Sequence, residues 1–447
     1  MKRGRLVALL VAAVAVIAVA SVAVTLLVTH RAPAEAAAPE AVAVTVPVPV
    51  AAKGLPKDTT IGVLLPLGES GEAGTEFATA AQGAVVAAER LRQAGNPVSL
   101  AVQNDGGSDS GAAAAVEKLR AAGVSGLVIA ETDGRAAAAA KAASAAGIPA
   151  VAPYADVTGK GVYSLAPSAA EFKDATASAT RGAKNVLLVD AGAGAPAGVT
   201  VGRTLKLSDF DDVQALATEA AVLTGDRLRQ PGRDAPQGSE PSKEAHPSDT
   251  VLISSPLTAR SALVVQALQA KGVSVPLVLG QDATSPLFAT SLQEHDGAAS
   301  GQLVGVAAVG GDSVALQQDD AGRAMSAFLA GVRMAAADPS LKNLSGDAPF
   351  ADDAWAADAR SHDAVLSLAL AAAQARSTAP AKVAEALAAL APGAKQGIAE
   401  GPLDFTRPHV MTRKAVPVYA SEQDLGLRPR TQNSPTLIWI PAASGGR

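Results

Sequence analysis

Five histidines could hold a metal or move protons: His30, His246, His295, His362 and His409. No two stand at metal-ligand spacing, and the chain has no cysteine to complete such a site. The same absence excludes disulfides, thiolate nucleophiles and lipid attachment through cysteine. No Gly-x-Ser-x-Gly elbow occurs, and no Ser, His and Asp fall in triad order on strand ends, so hydrolase chemistry has little support. His362-Asp363 opens a helical stretch and reads as a capping feature rather than a catalytic dyad. His295-Asp296 reads as a surface pair in a turn. Gly192-Ala193-Gly194 follows a strand, but Gly198 comes four residues later, the wrong place for a dinucleotide fingerprint. What remains is binding chemistry. Tyr154 stands out, because the chain has only three tyrosines and this one falls in a loop at a strand end.

The elements that must position such loops follow one repeating unit. Residues 61–65, Ile-Gly-Val-Leu-Leu, are a short apolar run of the kind buried on both faces of a parallel sheet. Pro66 ends it, a Gly-rich loop with Ser70 and Gly71 follows, and a helix is expected over 76–94. The unit repeats with strands over 98–103, 126–130 and 149–152 and helices over 112–122 and 135–146, the last two closed by Gly123 and Gly147. After Pro167 it restarts, with helices over 169–180, 201–207 and 209–223 and strands over 185–189, 250–254 and 276–279. Residues 227–249 hold four prolines and many charges and read as a disordered insertion. Residues 301–309 form a strand-like run expected to return toward the first lobe. Helices over 321–337, 357–375 and 381–390 and β segments over 416–420 and 437–440 complete the chain. The fold class is α/β, and ligands in such sheets sit where the loops at the strands' carboxyl ends gather.

At 447 residues the chain is too long for one ordinary core, so two lobes are expected. Aromatics are only 3 % of it, so alanine, valine and leucine must build the interior. The net charge of −5, with no long basic run, argues against a nucleic-acid partner. Lys2, Arg3 and Arg5 form a basic end at 1–5, expected in the cytoplasm. The uncharged run 6–28 would span about 35 Å as a helix, enough to cross a bilayer. It is longer than a usual signal-peptide core, so an uncleaved transmembrane anchor is the preferred reading. Cleavage near Ala34-Glu35-Ala36, with secretion, is the alternative. Residues 31–57 are a Pro/Ala-rich linker.

The order of motifs resembles the extracytoplasmic solute-binding proteins of the type I periplasmic-binding fold, in particular the branched-chain amino-acid (Leu/Ile/Val-binding) group. The residues that carry it are Pro66-Leu67 with Ser70-Gly71 and Gly83, Asn104-Asp105, Gly147-Ile148-Pro149 with Ala152-Pro153-Tyr154-Ala155, and residues 184–189. They continue with the helix ending at Lys271-Gly272, Gly280-Gln281-Asp282, Ser361-His362-Asp363-Ala364-Val365, and Gly401-Pro402-Leu403-Asp404-Phe405. No single piece is specific; the order and spacing over about 58–420 make the case. The resemblance implies two doubly wound parallel-sheet lobes around a ligand cleft. Lobe 1 would be 58–167 plus 301–401 and lobe 2 would be 168–300, with 402–447 as C-terminal crossover strands and tail. It implies binding of a small-molecule solute, an amino acid or related amine, for an ABC importer with its permease, and no enzyme activity or cofactor. The folded domain would be extracytoplasmic, held to the cell membrane through 6–28.

In that family the first-lobe loops hold the ligand's carboxylate and ammonium. Thr132, Asp133 and Gly134 occupy one of these loops, and Tyr154 and Asp156 the other. Ala195 and Leu257 stand in the second lobe where the family offers aromatics, and Asp282 keeps the acid that meets an ammonium. Ser70 and Gly71 would lie at the cleft rim. A carboxylate at 133 or 156 would repel a ligand carboxylate. Two readings therefore stand: a cationic or amine solute facing Asp156 and Asp282, or a degenerate cleft in a ligand-sensing or scaffold protein.

Overall fold

A computed structural model describes residues 48–67, 76–231, 240–300, 302–308, 310–430 and 438–441. The run 6–28 and the rim residues Ser70 and Gly71 lie outside them. Among the described residues no helix is long and apolar enough to cross a membrane.

Strand β1 (Thr60–Leu65) is the centre of the first lobe. Its Ile61, Val63 and Leu65 enter one hydrophobic core and Leu64 enters another. Alternate residues of a strand point to opposite faces, so a strand covered on both sides must be apolar throughout. The expected helix over 76–94 is two helices, α1 (Glu76–Ala80) and α2 (Gly83–Gln93). A Cβ on Gly83 would lie 1.9 Å from the Asp358 carbonyl oxygen, so only glycine permits this approach. Then come β2 (Ser99–Asn104), α3 (Asp109–Ala121), β3 (Gly126–Ile129), α4 (Asp133–Ala146), β4 (Ala150–Ala152) and β5 (Val162–Ser164). These strands form one parallel sheet in the order β2-β1-β3-β4-β5. Alanines of α3 and α4 pack on one face, where small side chains bring the helices close to the sheet.

The second lobe starts with α5 (Ala169–Ala179), whose N-terminus carries a Ser168–Glu171 capping box. Strand β6 (Val186–Asp190) pairs with β7 (Arg203–Lys206). The expected helix over 201–207 is thus an edge strand. Its exposure alternates residue by residue, which suits one covered face. Helix α6 (Val213–Leu223) falls inside the stretch expected to be helical. The insertion expected to be disordered is stitched at its ends: Arg229 and Ser242 exchange backbone hydrogen bonds of 2.8 and 3.0 Å, and Arg203 pairs with Glu244 at 2.9 Å. Next are β8 (Thr250–Ser254), α7 (Thr258–Ala270), β9 (Leu277–Val278) and α8 (Pro286–Glu294).

Strand β10 (Leu303–Ala307) corrects the expected lobe boundary. It pairs with β9, so it belongs to the second sheet and not to the first lobe. The chain returns only after it, through a 3₁₀ turn Gly311–Leu316, into α9 (Asp320–Ala337), α10 (Phe350–Asp353), α11 (Ala359–Ala375) and α12 (Pro380–Ala388). Helices α2, α9, α11 and α12 cover the remaining face of the first sheet. The chain then leaves beside β5, where Ser164 N donates to Pro408 O and Val410 N to Ser164 O. Strands β11 (Val416–Ser421) and β12 (Ile438–Pro441) finish the second sheet, ordered β12-β11-β10-β9-β8-β6-β7. Both are antiparallel to their neighbours, so this sheet is mixed rather than wholly parallel.

Candidate functional site

Where the lobes meet, α1 packs against α8. Beside this contact lies a cavity of ≈ 190 Å³. The first lobe contributes Trp355, Asp358, Arg360 and Glu400, and the second contributes Thr284, Ser285, Ala307 and Trp439. The chain has two tryptophans, and both line this one space.

The start of α11 shapes the first-lobe wall. Asp358 caps that helix, accepting from Arg360 N at 2.7 Å, and takes both Nε and Nη2 of the Arg360 guanidinium at 3.1 Å. Burial works against the Arg360 charge, but the Asp358 carboxylate, by its charge and its hydrogen bonds, more than restores it. The guanidinium lies 4.9 Å above the Tyr154 ring, whose other neighbour is Phe77 at 4.7 Å between centroids. Burial, and after it the Asp358 charge, push the Tyr154 phenol well above its ordinary range. Its hydroxyl is buried with no hydrogen-bond partner of good geometry, while the Ser361 hydroxyl beside it is engaged with Ala80 O and Asp358 O. Tyr154 therefore serves as the floor under Arg360.

Glu400 is held by its backbone. Asp363 accepts from Ala399 N at 2.9 Å and from Glu400 N at 2.9 Å. Behind Asp363, His362 Nδ1 lies 2.8 Å from its carboxylate, and Arg90 Nη1 lies 2.8 Å from His362 Nε2. A guanidinium only donates, so Nε2 accepts and Nδ1 carries the proton. Burial lowers the His362 pKa, consistent with this neutral form. His362-Asp363 is thus a buried support inside α11, not an N-cap. The Glu400 side chain is 4 % exposed, and its Oε2 is buried with no hydrogen bond. Burial, then the charges of Asp358 and Asp363, push its pKa up to about 8.

The third wall is a strap, residues 422–430, between β11 and β12. Arg428 leaves it to meet Asp312 through Nε at 2.5 Å and Nη2 at 2.8 Å. Its Nη1 donates to Trp355 O and Ala357 O. Arg333 Nη1 in turn donates to Leu427 O. The strap thus ties the second sheet to the first lobe.

The residues singled out from sequence lie mostly elsewhere. Asp156 sits at the first crossover with both oxygens engaged: Oδ1 is 2.5 Å from His409 Nε2 and Oδ2 accepts from Ala169 N at 2.8 Å. It joins the entry to α5 with the segment leaving the first lobe, and corrects the expectation of an acid facing a solute. Thr132 is the N-cap residue of α4, and Asp133 opens that helix. Gly134 packs near Asp109, where a Cβ would lie 2.9 Å from Oδ1. Ala195 is exposed in the loop after β6, and Leu257 precedes α7 with 36 % of its surface exposed. Asp282 lies in the 3₁₀ turn Gln281–Thr284, whose last residue lines the cavity. The glycines after β6 offer no phosphate cradle, because Asp190 Oδ1 takes the N–H groups of Gly192 and Gly194.

A second buried acid lies apart from the cavity. Glu131, at the end of β3, is fully buried, and neither oxygen has a hydrogen bond. Arg135 lies 3.9 Å away but sits closer to Asp105, at 3.1 Å. Burial, and after it the Asp105 charge, push Glu131 up to about 9.

No protein-family model and no curated protein matches the sequence. Solved structures do match in fold. The branched-chain amino acid transporter substrate-binding protein LivJ of Streptococcus pneumoniae, complexed with isoleucine, aligns with TM-score 0.57 at 17 % identity, over 86 % of this chain and 100 % of that one. A periplasmic binding protein type 1 of Bordetella pertussis aligns at 0.56 and 15 % identity, over 86 % and 100 %. An ABC transporter solute-binding protein of Rhodopseudomonas palustris, complexed with benzoate, aligns at 0.54 and 16 % identity, over 86 % and 98 %. With two α/β lobes, three crossovers and a cavity between the lobes, the chain has the fold of a type 1 periplasmic binding protein.

Proposed function

We propose that this chain is an extracytoplasmic solute-binding protein that takes an amino acid or related amine between its lobes and presents it to an ABC importer. It binds and does no chemistry. The observation that carries the reading is the cavity where the lobes meet, walled by both tryptophans and by the buried Glu400 carboxyl. Aromatic walls with a few convergent polar groups are the usual make-up of a small-molecule site. The neighbours named for amino-acid and solute binding support the same reading. Residues 6–28 would tether the domain to the membrane and the Pro/Ala-rich stretch after them would lift it clear. Its far end corrects the expected 31–57 linker, because Val50 and Ala52 are buried in the first-lobe core and Ala52 N donates to Asn96 Oδ1 at 2.9 Å.

A thermal-shift screen of the full chain against amino acids, amines and short peptides tests the reading. A solute at 100 times its Kd should add about 2.7 kcal/mol of stability. No shift with any solute would refute it. That outcome would favour the scaffold reading, which the Arg428 strap supports: a cleft walled in part by its own chain can present a surface rather than a site.

A further inference from the structure

We propose that the inter-lobe cavity selects an organic ammonium ion without a carboxylate, with Glu400 as its counter-charge and Trp355 and Trp439 against its body. The inference rests on the solute-binding reading and deepens it.

The charges on the cavity wall carry the argument. Among the described residues seven charged side chains line the space: Asp312, Asp358, Arg360, Glu400, Asp424, Arg428 and Arg430. Six are already paired: Arg360 with Asp358 at 3.1 Å, Arg428 with Asp312 at 2.5 Å and Arg430 with Asp424 at 3.1 Å. Glu400 is left over. A buried ionised group is tolerated only when it is paired, so Glu400 can ionise in this wall when a cation enters the cavity beside it. A carboxylate solute would need a free guanidinium or a cluster of N–H donors. It would meet arginines already neutralised, and an acid. The tryptophans add the second element of selection. A cation is drawn to an indole face, more strongly once both are out of water. In a chain with 3 % aromatics, both tryptophans on one cavity beside its one unpaired acid is a specific arrangement.

Protons must balance. In the empty cavity Glu400, at about 8, is mostly protonated at neutral pH. Asp358, Asp363 and Asp312 favour that proton and Arg360 opposes it. Arg428 and Arg430 face the same space with their charges already paired. When an ammonium enters, the carboxyl ionises to pair with it and its proton passes to the buffer. Affinity should therefore rise from pH 6 to pH 8.

The test is isothermal titration of the full chain at pH 7 with three probes of matched skeleton: isoamylamine, leucine and 4-methylpentanoate. Buffers of low and high ionisation enthalpy count the protons released. Isoamylamine should bind about tenfold or more tighter than leucine, 4-methylpentanoate should not bind, and close to one proton should leave per amine. Glu400→Gln should weaken isoamylamine about tenfold or more and abolish the release. Leucine binding as tightly as isoamylamine, or Glu400→Gln leaving affinity and proton release unchanged, overturns the inference and leaves solute binding standing. Amine binding by the wild-type chain with no proton release also overturns it, and needs no variant to fold. If none of the three probes binds, the inference falls, and the wider thermal-shift screen decides separately on solute binding.

Discussion

Trp355 and Trp439 face one cavity from opposite lobes, the first from the turn before α11 and the second from β12. The chain's whole indole signal therefore reports on this space. A solute that enters should change intrinsic fluorescence in a saturable way. Trp355→Phe and Trp439→Phe should each remove part of the change. An unaltered spectrum at a concentration that raises the melting temperature would place the solute elsewhere.

The one ion pair between the strap and Asp312 is made by Arg428. Removing one member of a hydrogen-bonded, partly buried ion pair leaves the other with its desolvation cost, so Arg428→Ala should lower stability by about 1–3 kcal/mol. Asp312→Ala alone should cost a similar amount. The double variant should cost less than the sum of the two, with a coupling of about 0.5–3 kcal/mol. Chemical denaturation of the four proteins measures this, and strict additivity would show that the contact does not form in solution.

Stability should depend on pH through the buried acids. Glu131 has a folded value of about 9 and Glu400 one of about 8, against about 4.3 for an unfolded glutamate. The folded chain keeps protons that the unfolded chain releases between these values. Their contribution is therefore complete below about pH 4.3 and is lost as pH rises toward 8–9. Glu131→Gln cannot lose its proton, so the variant should gain on the wild type by about 1.4 kcal/mol or more between pH 5 and pH 8. Melting curves at the two pH values check this, and a constant difference would contradict it.

Gly83 sets the distance between α2 and α11. Gly83→Ala would put a methyl group 1.9 Å from Asp358 O and 2.4 Å from Ser361 Oγ. Overpacking of this kind costs about 1–3 kcal/mol. Because Asp358 and Ser361 start the helix that carries Arg360, the variant should also weaken solute binding. Unchanged stability would mean that the two helices are free to separate.

These sites differ in how far the sequence exposes them. Strand β1 was legible because a strand buried on both faces must be apolar throughout, as Ile61 to Leu65 are. Strand β10 is equally apolar and was legible as a strand, but nothing local says which sheet it joins; its partner β9 decides that. Strand β7 read as a helix because its four residues, Arg-Thr-Leu-Lys, are too few to show a period. Asp156 reads as free for a solute because His409 lies 253 residues on and nothing local shows that Ala169 N, 13 residues on, turns back to it. Glu400 carried no sequence mark at all. Its burial depends on the fold, and the acid that fixes its backbone, Asp363, lies 37 residues away. The one available signal was composition: two tryptophans in a chain this poor in aromatics.

The most direct measurement is a calorimetric titration of one bound solute with the wild-type chain and with Ala289→Leu, which fills the cavity from α8. The account predicts saturable binding at one solute per chain in the wild type. It predicts loss of that binding in the variant, with the circular dichroism of the fold unchanged. Undiminished binding by the filled variant, or no saturable binding by the wild type, would contradict a solute site between the lobes.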